Sequence, residues 1–206
     1  MIPFRSLAFG LVSFLAAVSA AYAETNHVSE AAWAALAGGG HAALMRHATA
    51  PGFGDPKGFR LDDCSTQRNL SEAGREEARM VGERFRSRGI AINGVYSSVW
   101  CRCLETARLL DLGPVVPLAP LNSFFEARER AEAQTAALRA WLAAQPAADT
   151  LVLVTHQVNI TALTGIIPAS GEIVVVRTGS LESPAAAVLA DPERLPVVGR
   201  IAPSRD

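Results

Sequence analysis

The chain has little lysine, and its positive and negative charges nearly balance. Lys57 is the only lysine among 19 basic residues, and 20 acidic residues leave a formal net charge of −1 at pH 7. A chain with this balance offers no broad basic surface of the kind that attracts nucleic acid or an anionic membrane. We therefore expect no nucleic-acid partner.

Cysteine is also scarce, with Cys64, Cys101 and Cys103 the only three in 206 residues. They form neither a C-x-x-C pair nor a cysteine–histidine spacing typical of zinc, so we predict no metal site. Cys101 and Cys103 lie two residues apart on a predicted helix and point to different sides, so any disulfide should involve Cys64. Cys101 is the favoured partner because it lies on the first helical turn, near the strand end over which the Cys64 loop should fold. Pairing with Cys103 and three buried thiols remain the alternatives.

No apolar run in the chain approaches the roughly 20 residues that a membrane-spanning helix needs. The apolar stretch at residues 7–18 follows Arg5 and precedes Ala21-Tyr22-Ala23, the arrangement of a secretory signal peptide and its cleavage site. We predict that residues 1–23 are a signal peptide and that residues 24–206 form one domain. The mature protein is then expected to be periplasmic or secreted, with no stable membrane insertion.

Two short apolar runs end in histidine. Residues 42–45 are followed by Arg46 and His47, and residues 151–155 are followed by His156. Continuous apolar runs of this length are typical of buried strands in a parallel sheet. Ligand sites of such sheets lie at the carboxyl ends of the strands, so both histidines are candidate site residues.

A third strand, predicted over residues 94–97, leads into a helix that carries Arg102. Helical side chains lean toward the amino terminus, so Arg102 on the first turn should reach the same sheet edge. Further helices are predicted over residues 28–37, 71–88, 99–110, 124–144 and 157–163, and further strands over 115–118, 173–177 and 197–201. Ser71 and Ser98 are the expected caps of the second and third helices.

Residues 49–69 lack periodicity and are rich in Pro, Gly, Asp and Arg. Long loops inside compact domains are usually functional or disordered, and we interpret this one as the rim of the pocket. The residues placed there to contact the substrate are Thr49, Phe53, Phe59, Arg60 and Arg68.

The candidate residues suit phosphoryl transfer. A phosphoryl group in transfer spreads negative charge over three oxygens, which arginines and a protonated histidine can stabilise from several sides. The remaining histidine, when neutral, can attack phosphorus and form a phosphohistidine that water later hydrolyses. This chemistry requires no metal and no cofactor.

Four motifs in this order resemble those of the histidine phosphatase superfamily, which also contains the cofactor-dependent phosphoglycerate mutases. They are Leu44-Met45-Arg46-His47-Ala48; Asn69-Leu70-Ser71 with Gly74; Tyr96-Ser97-Ser98 with Arg102 and Thr106-Ala107; and Val154-Thr155-His156. The resemblance implies a three-layer α/β/α sandwich around a mostly parallel sheet. It also implies that His47 is the nucleophile and that Arg46, Arg102 and His156 clamp the phosphate.

The chain departs from the family pattern at three positions beside these motifs. Ala48 stands where the family usually has a glycine after the first histidine. Val99 stands in place of the usual proline after the two serines, and Gln157 stands in place of the usual glycine after the second histidine. These departures leave the clamp intact and bear on pocket shape, and hence on the substrate.

The family usually supplies the leaving group's proton from a carboxylate between the second arginine and the second histidine. Glu126 fits that place, with Glu129 as runner-up. However, Ser123-x-x-Glu126 also has the form of a capping box for the predicted helix at residues 124–144. Branches that act on phosphoramidates need no donor, because their leaving group departs more easily.

The sequence thus predicts an exported, metal-independent phosphatase that hydrolyses a phosphomonoester or phosphoramidate through a phosphohistidine. Its partner would be a small phosphorylated substrate or a phosphorylated group of the cell envelope. The alternative is a catalytically weak phosphate-binding module of the same fold.

Overall fold

The computed structural model describes residues 29–179 and 194–203. The predicted signal peptide, residues 1–23, lies outside the described residues. Among the helices of the described ranges, none is long and apolar enough to cross a membrane.

A six-stranded mixed sheet forms the centre of the domain, in the order β3-β2-β4-β1-β5-β6. Its strands are β1 (His41–Arg46), β2 (Gly94–Ser97), β3 (Val115–Pro117), β4 (Thr150–Thr155), β5 (Ile173–Arg177) and β6 (Val197–Ile201). The first four strands of that order run parallel, β5 pairs antiparallel with β1, and the edge strand β6 pairs antiparallel with β5. The sheet therefore confirms the predicted α/β class.

Helices cover both faces of this sheet. They are α1 (residues 29–37), α2 (Glu72–Ser87), α3 (Cys101–Leu109), α4 (Ala131–Ala143) and α5 (Gln157–Thr164). Successive side chains of a strand point to opposite faces, and the buried residues accordingly form two clusters. Met45 packs with Trp33 and Phe85 of α1 and α2, whereas Leu44 packs with Leu138 of α4 on the other face. Three layers result, as the sequence predicts.

The cap predicted for α2 is present, because Ser71 Oγ accepts a hydrogen bond from the Gly74 amide at 3.0 Å. The prediction that Ser98 caps α3 is wrong. That helix begins at Cys101, after Trp100, rather than at Val99. Ser98 Oγ accepts from the Trp100 amide at 3.3 Å but also lies 2.9 Å from His156 Nε2, so this serine belongs to the site.

The helix predicted over residues 124–144 also begins later, at Ala131. Between Phe124 and Arg130 the backbone makes i→i−3 hydrogen bonds, from the Ala127 amide to Phe124 O and from the Arg130 amide to Ala127 O. Phe124 is buried, while Phe125 faces outward and packs edge-on against Phe53.

Candidate active site

Sheet register brings the predicted site residues to one edge. β1 pairs with β4 so that Arg46 lies opposite Thr155, and β2 pairs with β4 so that Ser97 lies opposite Val154. The ladder continues one residue further, because the His47 amide donates to Thr155 O at 2.9 Å. The strand ends therefore place His47, Ser98 and His156 side by side.

His47 is buried and held in one tautomer. Its Nδ1 lies 2.8 Å from the carbonyl oxygen of Ala48, which only accepts hydrogen bonds, so Nδ1 carries the hydrogen. Burial, with a smaller effect of the nearby Arg102, lowers the pKa of His47 to about 3, although the Ala48 hydrogen bond opposes this shift. At neutral pH the ring is uncharged, and Nε2 holds a free lone pair.

His156 lies next to His47, with ring centroids 5.6 Å apart. Its Nε2 is 2.9 Å from Ser98 Oγ and 3.5 Å from Cys103 Sγ. Burial holds the pKa of His156 well below its usual value, and His47 and Arg102 add to that effect. Both rings are therefore neutral in the ligand-free protein at neutral pH.

Three guanidinium groups surround the two rings. Arg46 Nη1 donates to Pro168 O at 2.9 Å, and Arg68 Nε donates to Gly54 O at 2.7 Å. Arg46 Nε is buried and has no hydrogen-bond partner within the described part of the chain, and the same holds for Arg102 Nε. Buried donors without partners are rare in folded proteins and indicate a place for a ligand acceptor.

Asp55 is the site residue that the sequence analysis missed. Its carboxylate accepts from both terminal nitrogens of Arg102, from the Arg68 amide at 3.0 Å and from Trp100 Nε1 at 3.1 Å. Burial alone would raise the pKa of Asp55, but the hydrogen bonds from Arg102 and Arg68 hold it below the usual value. No local signal separates Asp55 from Asp62 or the other acidic residues of the same loop.

These groups open into a cavity of about 300 Å³. Its walls come from the rim loop, the start of α3, the turn at residues 123–130 and the start of α5. Six of the eight predicted site residues line it, namely Arg46, His47, Arg68, Arg102, Glu126 and His156. The rim loop contributes Phe53 and Phe59 as well, in agreement with its predicted place over the pocket.

Thr49 and Arg60, two of the predicted substrate contacts, lie outside the cavity lining. The Thr49 amide donates to Glu77 Oε2 at 2.8 Å, and its carbonyl faces Gly74 of α2, where a Cβ would overlap it. The Arg60 side chain is 64% exposed and pairs with Asp63. Thr49 lies against α2, and Arg60 pairs with Asp63 of the same loop. A substrate contact by either residue stays a prediction.

Part of the chain is similar to a known protein family. Residues 42–128 match the model of the histidine phosphatase superfamily, branch 1. This match covers less than half of the chain, and it shows that this segment is similar to the superfamily. No curated protein matches its sequence.

Solved structures of low sequence identity share the fold. The protein histidine phosphatase SixA complexed with tungstate is 16% identical, with a TM-score of 0.51 over 79% of this chain and 97% of that chain. Rv3214 from Mycobacterium tuberculosis is 13% identical, with a TM-score of 0.52 over 76% and 94%. The mycobacterial glucosyl-3-phosphoglycerate phosphatase Rv2419c is 18% identical, with a TM-score of 0.51 over 76% and 96%.

Glu126 lies at the exposed edge of the cavity. The capping-box interpretation of Ser123 and Glu126 is wrong, because no α-helix begins there. Ser123 Oγ accepts from the Phe125 amide at 3.2 Å and stabilises the turn instead. Glu129 is exposed and outside the lining. The proton-donor role of Glu126 stays a prediction.

The favoured disulfide, Cys64–Cys101, is present, with a Cα–Cα distance of 5.6 Å. It ties the rim loop to the first residue of α3, directly before Arg102. Cys103 is free and buried, and burial raises the pKa of its thiol to about 12. Among the described residues, no group of three or more His, Cys, Asp or Glu side chains is arranged to hold a metal ion.

Proposed function

We propose that this protein is a metal-independent phosphatase of the histidine phosphatase superfamily, which hydrolyses a phosphomonoester or phosphoramidate through a phosphohistidine on His47. One observation carries the proposal. The His47 hydrogen bond to Ala48 O leaves Nε2 unprotonated in a cavity lined by four arginines, three of which are at its inner end. A neutral nucleophile beside fixed positive charge is what attack on an anionic phosphoryl group requires.

The reaction then follows in two displacements. His47 Nε2 forms a bond to phosphorus while the bond from phosphorus to the leaving oxygen breaks, and that oxygen takes its electron pair and a proton from Glu126. Water next attacks the phosphohistidine, giving its proton to Glu126, and the electron pair of the P–N bond returns to Nε2. Arg46, Arg68 and Arg102 bind the phosphoryl oxygens throughout, and each lost donor costs about 100- to 1,000-fold in rate.

A second support comes from the solved structure of SixA, which holds tungstate. Tungstate is a tetrahedral oxyanion of the same charge type as phosphate. A chain of the same fold with an arginine-lined cavity is suited to the same kind of anion.

Labelled substrate and an acid quench test the proposal. The purified protein should hydrolyse an aryl phosphate equally well with and without excess chelator, and vanadate should inhibit it. An acid-labile phosphoenzyme should form in the wild-type protein and should be absent from the His47→Ala variant. Phosphate binding without any phosphoenzyme would instead support the alternative, a weak phosphate-binding module.

We further propose that the protein is exported to the periplasm or secreted. The Cys64–Cys101 disulfide supports this location, because disulfides persist in oxidising compartments. Expression of the full chain in a bacterial host with fractionation tests it. The mature protein should begin at Glu24 and leave the cytoplasm, and retention of residues 1–23 on a cytoplasmic product would refute export.

A further inference from the structure

The charged groups of the cavity are unevenly distributed. Its inner end is formed by three arginines and one aspartate, with a net charge of two positive charges. These residues are Arg46, Arg68, Arg102 and Asp55. At the exposed mouth, Arg130 and Glu126 have opposite charges that balance. A phosphomonoester carries about −1.5 to −2 charges at pH 7, so one phosphoryl group neutralises the inner end.

The inner arginines are also fixed by the protein. Asp55 holds Arg102, carbonyl oxygens of Gly54 and Ala50 hold Arg68, and the carbonyl of Pro168 holds Arg46. None of these side chains is free to turn toward a second anionic group at the mouth. A second phosphate or a carboxylate on the substrate would therefore meet Arg130 only beside Glu126, and the lining of the mouth offers no net positive charge to offset its lost hydration.

Aromatic rings form much of the remaining wall. The ring centroids of Phe59 and Trp100 are 6.0 Å apart. The ring centroid of Trp100 is also 5.3 Å from that of His156, so this aromatic pair lies beside the reaction centre. A second aromatic pair, Phe53 and Phe125, lies at the mouth with ring centroids 5.0 Å apart. Phe53 is 86% exposed, and in the ligand-free protein its ring is covered by little else.

From the charge distribution and these two aromatic pairs, we propose that the substrate carries a single phosphoryl group on a compact, uncharged body with a flat apolar face. An aryl or arylalkyl monophosphate has this chemistry. This inference rests on the proposed phosphatase function and narrows its substrate class. The cavity volume of about 300 Å³ lies at the small end of ligand pockets, in keeping with a body of one ring.

Three substrates with similar alcohol leaving groups test the proposal, namely benzyl phosphate, 4-carboxybenzyl phosphate and glycerol 3-phosphate. Because the chemical step is similar in all three, differences in kcat/KM report recognition of the body. We expect kcat/KM for benzyl phosphate to exceed that for each of the others by about tenfold or more. An equal or higher value for the carboxylate or the glycerol ester would overturn the proposal.

Variants of two exposed side chains of the rim loop locate the effect. Phe53→Ala should lower kcat/KM for benzyl phosphate about three- to tenfold, through KM, and lower that for glycerol 3-phosphate less. Leu61→Ala is the matched control, because Leu61 is 43% exposed but outside the cavity, and it should leave both values unchanged. An equal loss for both substrates in Phe53→Ala would contradict aromatic recognition.

The outcomes for the two proposals are separable. If His47-dependent hydrolysis occurs without preference for benzyl phosphate, the substrate class is wrong and the phosphatase function stands. If no substrate gives a His47-dependent phosphoenzyme, the phosphatase function itself fails.

Discussion

Asp55 holds Arg102 by both ends of its guanidinium fork, with Nη1–Oδ1 at 2.7 Å and Nη2–Oδ2 at 3.1 Å. Both side chains are almost fully buried, at 4% and 6% exposure. A guanidinium carries five N–H donors, so this pairing leaves the Nε edge of Arg102 for a ligand. Asp55 thus orients the arginine without using all its donors.

The ion pair predicts the effect of Asp55→Asn. Removing one partner of a buried pair leaves an uncompensated charge, so the free energy of unfolding should fall by about 3 kcal/mol. Urea denaturation measures this change in the free energy of unfolding. Asp62→Asn, at an 88% exposed side chain of the same loop, is the control and should change stability by less than about 0.5 kcal/mol. Equal stabilities of the two variants would show that the pair does not form.

The two buried histidines predict how stability depends on pH. Their pKa values are lowered in the folded protein, to about 3 for His47, whereas an unfolded histidine titrates near about 6.5. Below pH 6.5 the unfolded chain binds more protons, so stability is complete above that pH and is lost as the pH falls. At pH 5 the shift of His47 should lower the free energy of unfolding by about 2 kcal/mol, and the shift of His156 acts in the same direction.

Urea denaturation at pH 7.5 and pH 5 measures this dependence, and a His47→Asn variant should lose the part that His47 contributes, about 2 kcal/mol. A free energy of unfolding that did not change between these two pH values would contradict neutral, buried rings.

Glu126→Gln separates proton donation from a structural role. If Glu126 protonates the leaving oxygen, an alkyl phosphate should slow about 100-fold or more, and a nitrophenyl phosphate, whose anion leaves unaided, far less. The melting temperature should change little, because no helix begins at this residue. Glu129→Gln is the control for a neighbouring carboxylate outside the cavity. Equal slowing of the two substrates by Glu126→Gln would refute the donor role.

The disulfide predicts both thiol reactivity and stability. In the native, unreduced protein no thiol should react with an alkylating reagent, since Cys103 is fully buried. Reduction should lower the free energy of unfolding by about 3 to 4 kcal/mol, because the Cys64–Cys101 bond closes a 37-residue separation. Mass mapping and denaturation with and without reductant check these statements. Three alkylated cysteines in unreduced protein would contradict the pairing.

The sequence alone determined the strands and the two histidines. The runs at residues 42–45 and 151–155 are apolar on both sides, so each can only be a strand buried between two layers. Parallel pairing of such strands aligns their carboxyl ends, and the residues that follow, His47 and His156, must then meet. The first turn of α3 adds Arg102 by the same local rule for helical side chains.

Only the tertiary structure decided the rim and the mouth of the site. Asp55 meets Arg102 across 47 residues of sequence, and its loop has no periodicity from which that contact could be inferred. Thr49 and Arg60 were expected at the pocket, but contacts with α2 and with Asp63 hold them elsewhere. The sequence pattern also predicts Glu126 as a capping residue, but the helix begins at Ala131. Strand interiors follow from their own residues, whereas loop side chains are placed by whichever partners the folded chain brings to them.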